Sequence, residues 1–131
     1  PILYVTGVKW LVERPRPITS VGSGLLPGDP SFPSGHTAAA VIVSVMMILT
    51  VRNFAHKCFP DGEDDGRANR RRVFLRRAII GAVALVVAVA CSRLLLGLHY
   101  PTDVIISATI CPLISYAVWC VWNACESAGE R

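Results

Sequence analysis

The stretch SFPSGHTAAAVIVSVMMILTV, residues 31–51, joins a short polar motif directly to a long apolar run. Ser34, Gly35 and His36 stand immediately before this run. If a helix begins near Ser34, it is long enough to cross a hydrocarbon core of about 30 Å. The stretch therefore places a titratable imidazole at the N-terminal end of a predicted membrane span.

Two further apolar stretches, 78–98 and 104–122, are also long enough to cross a bilayer as helices. Hydrophobic residues make up 53% of the 131 residues, more than a soluble domain of this size usually carries. We predict one all-α domain over residues 1–131, an integral-membrane helical bundle with helices over 34–53, 77–96 and 101–123. Residues 2–8 are interpreted as the end of a further span. The chain is thus expected to be a C-terminal fragment with about three complete spans and part of a fourth, its N-terminal spans missing.

The basic residues are concentrated in one segment. Eight of the 13 Lys and Arg residues lie within 52–77, between two apolar stretches. Because Lys and Arg in short loops mark the cytoplasmic side, we predict that 52–77 is a cytoplasmic basic loop and that 9–36 and 93–103 are extracytoplasmic. A contact of this loop with anionic lipid is an open alternative. Nucleic acid is not a predicted partner, because no aromatic residues alternate with the arginines.

Polar residues on the predicted outer face suit an anion. Three of them are cations, and others stand at a helix start, where unpaired N–H groups and the helix dipole favour negative charge. A glycine there lets an anion approach the backbone, and a serine there caps the helix or donates to phosphate. The candidate phosphate-binding residues are Lys9, Arg16, Ser34, Gly35 and Arg93.

Two histidines and a carboxylate supply candidate catalytic groups. Asp103 follows His99 by four residues at the start of the last predicted helix, so its carboxylate can hold one ring nitrogen and leave the other as a nucleophile. His36 lies on a different helix and is free to protonate a leaving oxygen. Each residue alone also has a structural interpretation, as a solvated histidine, a helix-start hydrogen bond or, for Arg93, a side chain that extends from its span to the surface.

Several polar groups are left outside the predicted site. ERPRP, residues 13–17, offers two Arg-Pro pairs, and the spacing from Lys9 favours Arg16, so Arg14 is expected to be a solvated neighbour. His56 lies in the basic segment and is expected to be unrelated to the chemistry. The five cysteines include no CxxC pair, so neither a zinc site nor a disulfide framework is predicted.

Three blocks of sequence occur together in order. Lys9 precedes Arg16-Pro17 by six intervening residues, PSGH occupies 33–36, and Ser92-Arg93 is followed by His99 and Asp103. In these residues the chain resembles the type 2 phosphatidic acid phosphatase superfamily, which also contains the vanadium-dependent haloperoxidases. The resemblance extends from Lys9 to Asp103.

This resemblance implies a phosphatase that needs no metal or cofactor and hydrolyses a phosphomonoester or diphosphate of a membrane lipid through a phosphohistidine. By the resemblance, His99 attacks phosphorus, Asp103 orients it, His36 protonates the leaving group and the five phosphate-binding residues hold the oxygens. Compact loops favour a bacterial plasma membrane, with the active site extracytoplasmic. The alternatives are a noncatalytic lipid-binding or transport relative and a vanadate-dependent haloperoxidase, although haloperoxidases are soluble and large.

Overall fold

The structure is a computed structural model, and it describes residues 2–17, 28–58 and 65–129. Four helices cover most of these residues: α1, Ile2–Val12; α2, Gly35–Cys58; α3, Asp65–Leu95; and α4, Pro101–Gly129. No strand occurs within these three ranges. The predicted all-α class is confirmed.

Helices α2, α3 and α4 are each long and apolar enough to cross a membrane. The most apolar of the three is α3, and almost none of its apolar segment is buried inside the protein: Ile80, Val83 and Val87 are exposed. A helix that is apolar all round and yet unburied requires an apolar surrounding. The three helices therefore form a bundle suited to a lipid bilayer, as the composition predicts.

The central helix of the bundle is α2. It packs along α3 and α4 and contacts α1, whereas α3 and α4 touch each other at few points. Small or medium side chains form the buried core, namely Val5, Ala38, Val41 and Cys111. Between α2 and α3, Ser44 Oγ donates to the Ala82 carbonyl at 3.3 Å. Small residues let helix backbones approach closely, and this replaces the hydrophobic driving force that is absent between helices in lipid.

The helices run further into their polar flanks than predicted. Helix α2 ends at Cys58, α3 begins at Asp65 and α4 ends at Gly129, against predicted limits of 53, 77 and 123. The predicted loop over 52–77 is thus helical at both ends, and residues 59–64 lie outside the described residues. Hydropathy marks only the part of a helix that lies in hydrocarbon, whereas Arg, Lys and Ala keep a high helix propensity in water.

The two ends of the bundle differ in chemistry. The start of α2 and the start of α4 lie together, because Ser34 N donates to the Asp103 carbonyl at 3.2 Å. The basic residues of 52–77 begin at the far end of α2. Helix α2 has 24 residues, and at a rise of about 1.5 Å per residue its ends are about 36 Å apart. The histidine-bearing motifs and the basic segment therefore lie on opposite sides of any membrane that the bundle spans.

This arrangement predicts the outcome of cysteine labelling in cells. In a chain whose five native cysteines are all replaced by alanine, Gly66→Cys should react with a membrane-impermeant maleimide only after permeabilisation, because the basic segment is expected in the cytoplasm. The control is Gly28→Cys at the opposite end, which should react in intact cells. Labelling of Gly66→Cys in intact cells contradicts the predicted orientation.

Candidate active site

Ser34 caps the start of α2. Its side chain is fully buried, and its Oγ lies 3.4 Å from Thr37 N and 3.0 Å from Thr37 Oγ1. This is the N-cap arrangement, in which a serine oxygen accepts from a backbone N–H of the first turn. A Cβ added to Gly35 would meet only Val5 Cγ1 at 3.9 Å and Lys9 Cε at 4.0 Å, which is ordinary contact. Protein packing therefore does not require a glycine at this position.

Asp103 caps the start of α4 and is itself fully buried. Its Oδ2 accepts from Tyr100 N at 2.9 Å, the reciprocal half of a capping box. Its backbone carbonyl accepts from Ser34 N, and Ser107 Oγ lies 2.9 Å from that carbonyl and 3.1 Å from the Ser34 carbonyl. These hydrogen bonds join the starts of α2 and α4 into one polar junction.

His99 lies in the turn between α3 and α4 and is buried. Its Nδ1 is 2.7 Å from the Ser31 carbonyl and 3.5 Å from Asp103 Oδ2. A carbonyl oxygen can only accept, so Nδ1 carries the proton, and in the neutral ring Nε2 keeps its lone pair. The nearest partner of Nδ1 is thus the Ser31 carbonyl, with the carboxylate at a longer distance than an ordinary hydrogen bond.

The surroundings of His99 favour the neutral ring. Burial lowers its pKa below the ordinary 6.5, and the positive charge of Arg16 lowers it further, with a smaller contribution from Lys9. The Ser31 carbonyl and the Asp103 charge act in the opposite direction without reversing the shift. Arg16 Nη1 lies 3.5 Å from Nε2. At neutral pH the ring therefore has an unprotonated nitrogen beside a cation.

Lys9 and Arg16 share one carboxylate, Asp29. Lys9 Nζ pairs with Asp29 Oδ2, and Arg16 Nη2 donates to Asp29 Oδ1 at 2.7 Å. Burial alone would raise the pKa of Asp29, but hydrogen bonds and charge from the two cations outweigh it and lower the pKa to about 2. Lys9 also donates to the Pro30 carbonyl at 2.6 Å, and Arg16 to the Leu98 carbonyl at 2.9 Å. The two cations are thus fixed in position, and Asp29 is charged at neutral pH.

A cavity of about 400 Å³ brings most of the predicted residues together. Its lining consists of Lys9, Arg16, Asp29, Gly35, His36, Ala39, Arg93, Leu98 and His99. Six of the eight residues predicted from the sequence line it, while Ser34 and Asp103 are buried behind it. Arg93 donates from Nη2 to Ser92 Oγ at 3.1 Å, and its buried Nε has no hydrogen-bond partner among the described residues. The cavity therefore offers three cations and two imidazoles to one small anion.

Arg14 differs from its sequence expectation. Its side chain is only 34% exposed, and its Nη1 donates to Asp103 Oδ1 at 2.8 Å and to Thr102 Oγ1 at 2.6 Å. Its guanidinium carbon lies 4.0 Å from the centre of the Tyr100 ring, a cation–π distance. The expectation of a solvated Arg14 is wrong because the spacing from Lys9 selects one arginine for the cavity without showing where the other points.

Two further residues at the site were not predicted. Ser31 is fully buried, and its carbonyl accepts the hydrogen bond from His99 Nδ1. Its own N–H donates to the Arg14 carbonyl at 2.8 Å. Asp29 pairs with both cations of the first motif. The only sequence signal for either residue is its place just before PSGH. In the described part of the chain, no group of three His, Cys, Asp or Glu side chains has the arrangement of metal ligands.

Fold and site together define a helical bundle with three potential membrane spans and a cationic, histidine-lined cavity at one end of them. The chain belongs to the PAP2 superfamily, whose family model matches residues 2–126. This is the superfamily that the three sequence blocks indicate, and the prediction is confirmed. Comparison with curated proteins and with solved structures found no match. Membership supports a phosphatase-type or related activity on a phosphate ester.

The position of Asp29 predicts a gain of anion affinity on its neutralisation. Its carboxylate and an incoming oxyanion need the same two cations, so Asp29→Asn should tighten vanadate binding by about 5-fold, the effect of removing weak, partly exposed ion pairs. Isothermal titration calorimetry with vanadate measures this directly. Glu13→Gln removes the same charge from an exposed acid outside the cavity lining and should leave the affinity unchanged. Weaker binding by Asp29→Asn would mean that the carboxylate orients the cations rather than competing for them.

Proposed function

We propose that the protein is a membrane lipid phosphatase that hydrolyses a phosphomonoester or diphosphate of a lipid through a phosphohistidine intermediate. The observation that carries the proposal is the setting of His99. Its Nδ1–H is held by the Ser31 carbonyl, its pKa is lowered, and it lines the same cavity as three cations and His36. A neutral imidazole with one nitrogen held and the other open to a cationic cavity is suited to attack on phosphorus.

The phosphoryl group is proposed to bind in the cavity. Lys9, Arg16 and Arg93 pair with its oxygens, and the N–H groups of Gly35 and His36 at the start of α2 add donors that have no partner within the helix. Three cations and a helix N-terminus neutralise the charge of the transferring group, which is the main requirement of phosphoryl transfer. The proposal therefore assigns no step to a metal ion.

In the first step, the Nε2 lone pair of His99 forms a bond to phosphorus, and the bond from phosphorus to the lipid oxygen breaks. The leaving oxygen keeps the electron pair and takes a proton from His36, which is exposed and lines the cavity. The phosphorylated ring gains positive charge. Asp103 Oδ2, 3.5 Å from Nδ1, stabilises that charge.

In the second step, His36 accepts a proton from water while the water oxygen attacks phosphorus. The P–N bond breaks, its electrons return to Nε2, and inorganic phosphate leaves with His99 neutral again. The cavity lies at one end of the candidate spans, so the substrate's acyl or polyprenyl tail remains in the bilayer while its head group reaches the cations. We propose a bacterial plasma membrane, with this end extracytoplasmic.

The first test is phosphate release from lipid substrates. The reconstituted chain should release phosphate from at least one of phosphatidic acid, phosphatidylglycerol phosphate, a polyprenyl diphosphate or a sphingoid phosphate in EDTA, because cationic side chains supply the charge stabilisation. Vanadate should inhibit the release. A noncatalytic lipid-binding relative would bind these lipids without releasing phosphate, and a strict requirement for magnesium would contradict the proposed chemistry.

The second test separates the roles of the two histidines. His99→Ala should abolish turnover and the phosphoenzyme, since no other nucleophile is proposed. His36→Ala should lower turnover of a lipid phosphate by about 10²- to 10⁴-fold, the usual contribution of a general acid, but should cost far less with nitrophenyl phosphate, whose leaving group needs little protonation.

Rapid quench in base, followed by peptide mapping, identifies the phosphorylated residue, because phosphohistidine is labile in acid. His56→Ala is the matched control, since His56 lies at the other end of α2 and should leave both rates unchanged. Phosphate mapped to His36, or a phosphoenzyme still formed by His99→Ala, would show that the roles are assigned wrongly.

A further inference from the structure

A second and larger cavity lies at the end of the bundle opposite His99. Its volume is about 620 Å³, and it is formed by α2 and α4. From α2 it takes Leu49, Arg52, Asn53, His56 and Lys57, and from α4 it takes Tyr116, Trp119, Cys120 and Asn123. Arg52 follows Gly35 by 17 residues, which places it about 25 Å further along the helix axis. This groove is therefore separate from the catalytic cavity.

The groove is formed by two matching helix faces. On α2 the lining residues follow one another at intervals of three, one, three and one, and on α4 at intervals of three, one and three. These intervals place each set on a single face of its helix. The two faces meet at the end where α2 leaves the predicted membrane. The groove thus belongs to the membrane surface rather than to the middle of the bundle.

The chemistry of the groove changes from apolar to cationic along α2. Leu49 is buried at its inner part, and Trp119 lies across from it on α4. Arg52 and Lys57 are exposed further along, and neither has an ion-pair partner among the described residues. No carboxylate occurs among the lining residues that the structure describes. Two unpaired cations beside an apolar surface are suited to a ligand that has both a negative charge and an apolar portion.

We propose that this groove binds the phosphate head group of an anionic phospholipid from the leaflet opposite the catalytic site. Arg52 and Lys57 pair with the phosphate, and the amides of Asn53 and Asn123 line its path. The part of the acyl chain nearest the head group lies against Leu49 and Trp119. Basic pockets between spans on the cytoplasmic side recognise anionic head groups in this way, and aromatic residues are favoured at the same depth.

The site differs from the proposed catalytic site in what it does. The lining residues that the structure describes include no pair of imidazoles and no helix N-terminus. They therefore offer neither a histidine nucleophile with a fixed tautomer nor backbone donors for a transferring phosphoryl group. It binds a lipid without changing it. The proposal therefore stands or fails independently of the phosphatase activity.

Trp119 allows the binding to be observed at the site itself. In a Trp10→Phe/Trp122→Phe background, Trp119 is the remaining tryptophan of the chain. The protein is reconstituted into phosphatidylcholine vesicles that contain a small fraction of acyl-brominated phosphatidylglycerol or, in parallel, acyl-brominated phosphatidylcholine. We expect brominated phosphatidylglycerol to quench Trp119 at a several-fold lower mole fraction than brominated phosphatidylcholine.

Removal of the cations should abolish this preference. Arg52→Gln/Lys57→Gln should weaken phosphatidylglycerol binding by about 5-fold for each cation, or about 25-fold for the pair. The matched control is Arg70→Gln/Arg77→Gln on α3, which removes the same charge from the same end of the bundle outside the groove and should keep the preference.

Three results would overturn the proposal. The first is equal quenching by the two brominated lipids. The second is loss of the preference in the control variant as well, which would mean that general surface charge attracts the lipid. The third is equal destabilisation of Arg52→Gln/Lys57→Gln in vesicles with and without phosphatidylglycerol, measured by thermal unfolding. That result would show that the cations bind another part of the chain or a second copy.

Discussion

The buried charge of Asp103 is the constraint on which the polar end of the bundle depends. An unpaired carboxylate in such a place is strongly unfavourable, and breaking one buried ion pair typically costs about 3–5 kcal/mol. Arg14 and Tyr100 N occupy its two oxygens at 2.8 and 2.9 Å. Satisfying this charge therefore requires the segment after α1 to lie against the start of α4.

That requirement also determines where His99 points. With Arg14 held on Asp103, the Arg14 carbonyl accepts from Ser31 N at 2.8 Å, and the Ser31 carbonyl in turn accepts from His99 Nδ1. The orientation of the ring thus follows from a chain of hydrogen bonds that begins at the carboxylate. Asp103 is thus linked to His99 through Arg14 and Ser31, and its own Oδ2 lies 3.5 Å from His99 Nδ1. The lining of the cavity has a net positive charge. Three cations face one carboxylate, Asp29, which leaves two positive charges beside a neutral His99. This net charge matches a phosphate dianion.

The sequence predicts the parts of this molecule that depend on composition or fixed spacing. Apolar runs indicate the three spans, and the three motifs indicate six residues that the structure places around one cavity. The contacts of Arg14 and Asp29 were not predicted, because they depend on how the chain connects α1 to α2. The sequence of that connection has no hydrophobic periodicity from which a structure could be inferred. The ends of the helices were predicted too short for a different reason. Hydropathy reports the thickness of the hydrocarbon, whereas α3 continues into water on Arg and Ala residues that favour helix without being apolar.

Helix α2 connects the two polar ends of the bundle, but a shared helix alone does not couple two sites. Coupling requires an element with two arrangements whose balance both ligands change. The packing of α2 against α1 and α4 through Val5, Ala38 and Cys111 is a small, buried contact. A lipid in the groove contacts α2 and α4 beyond that contact. Its binding energy therefore adds to the stability of the α2–α4 pair, whereas the His99 ring is held by a hydrogen bond to the Ser31 carbonyl at the opposite end of that pair.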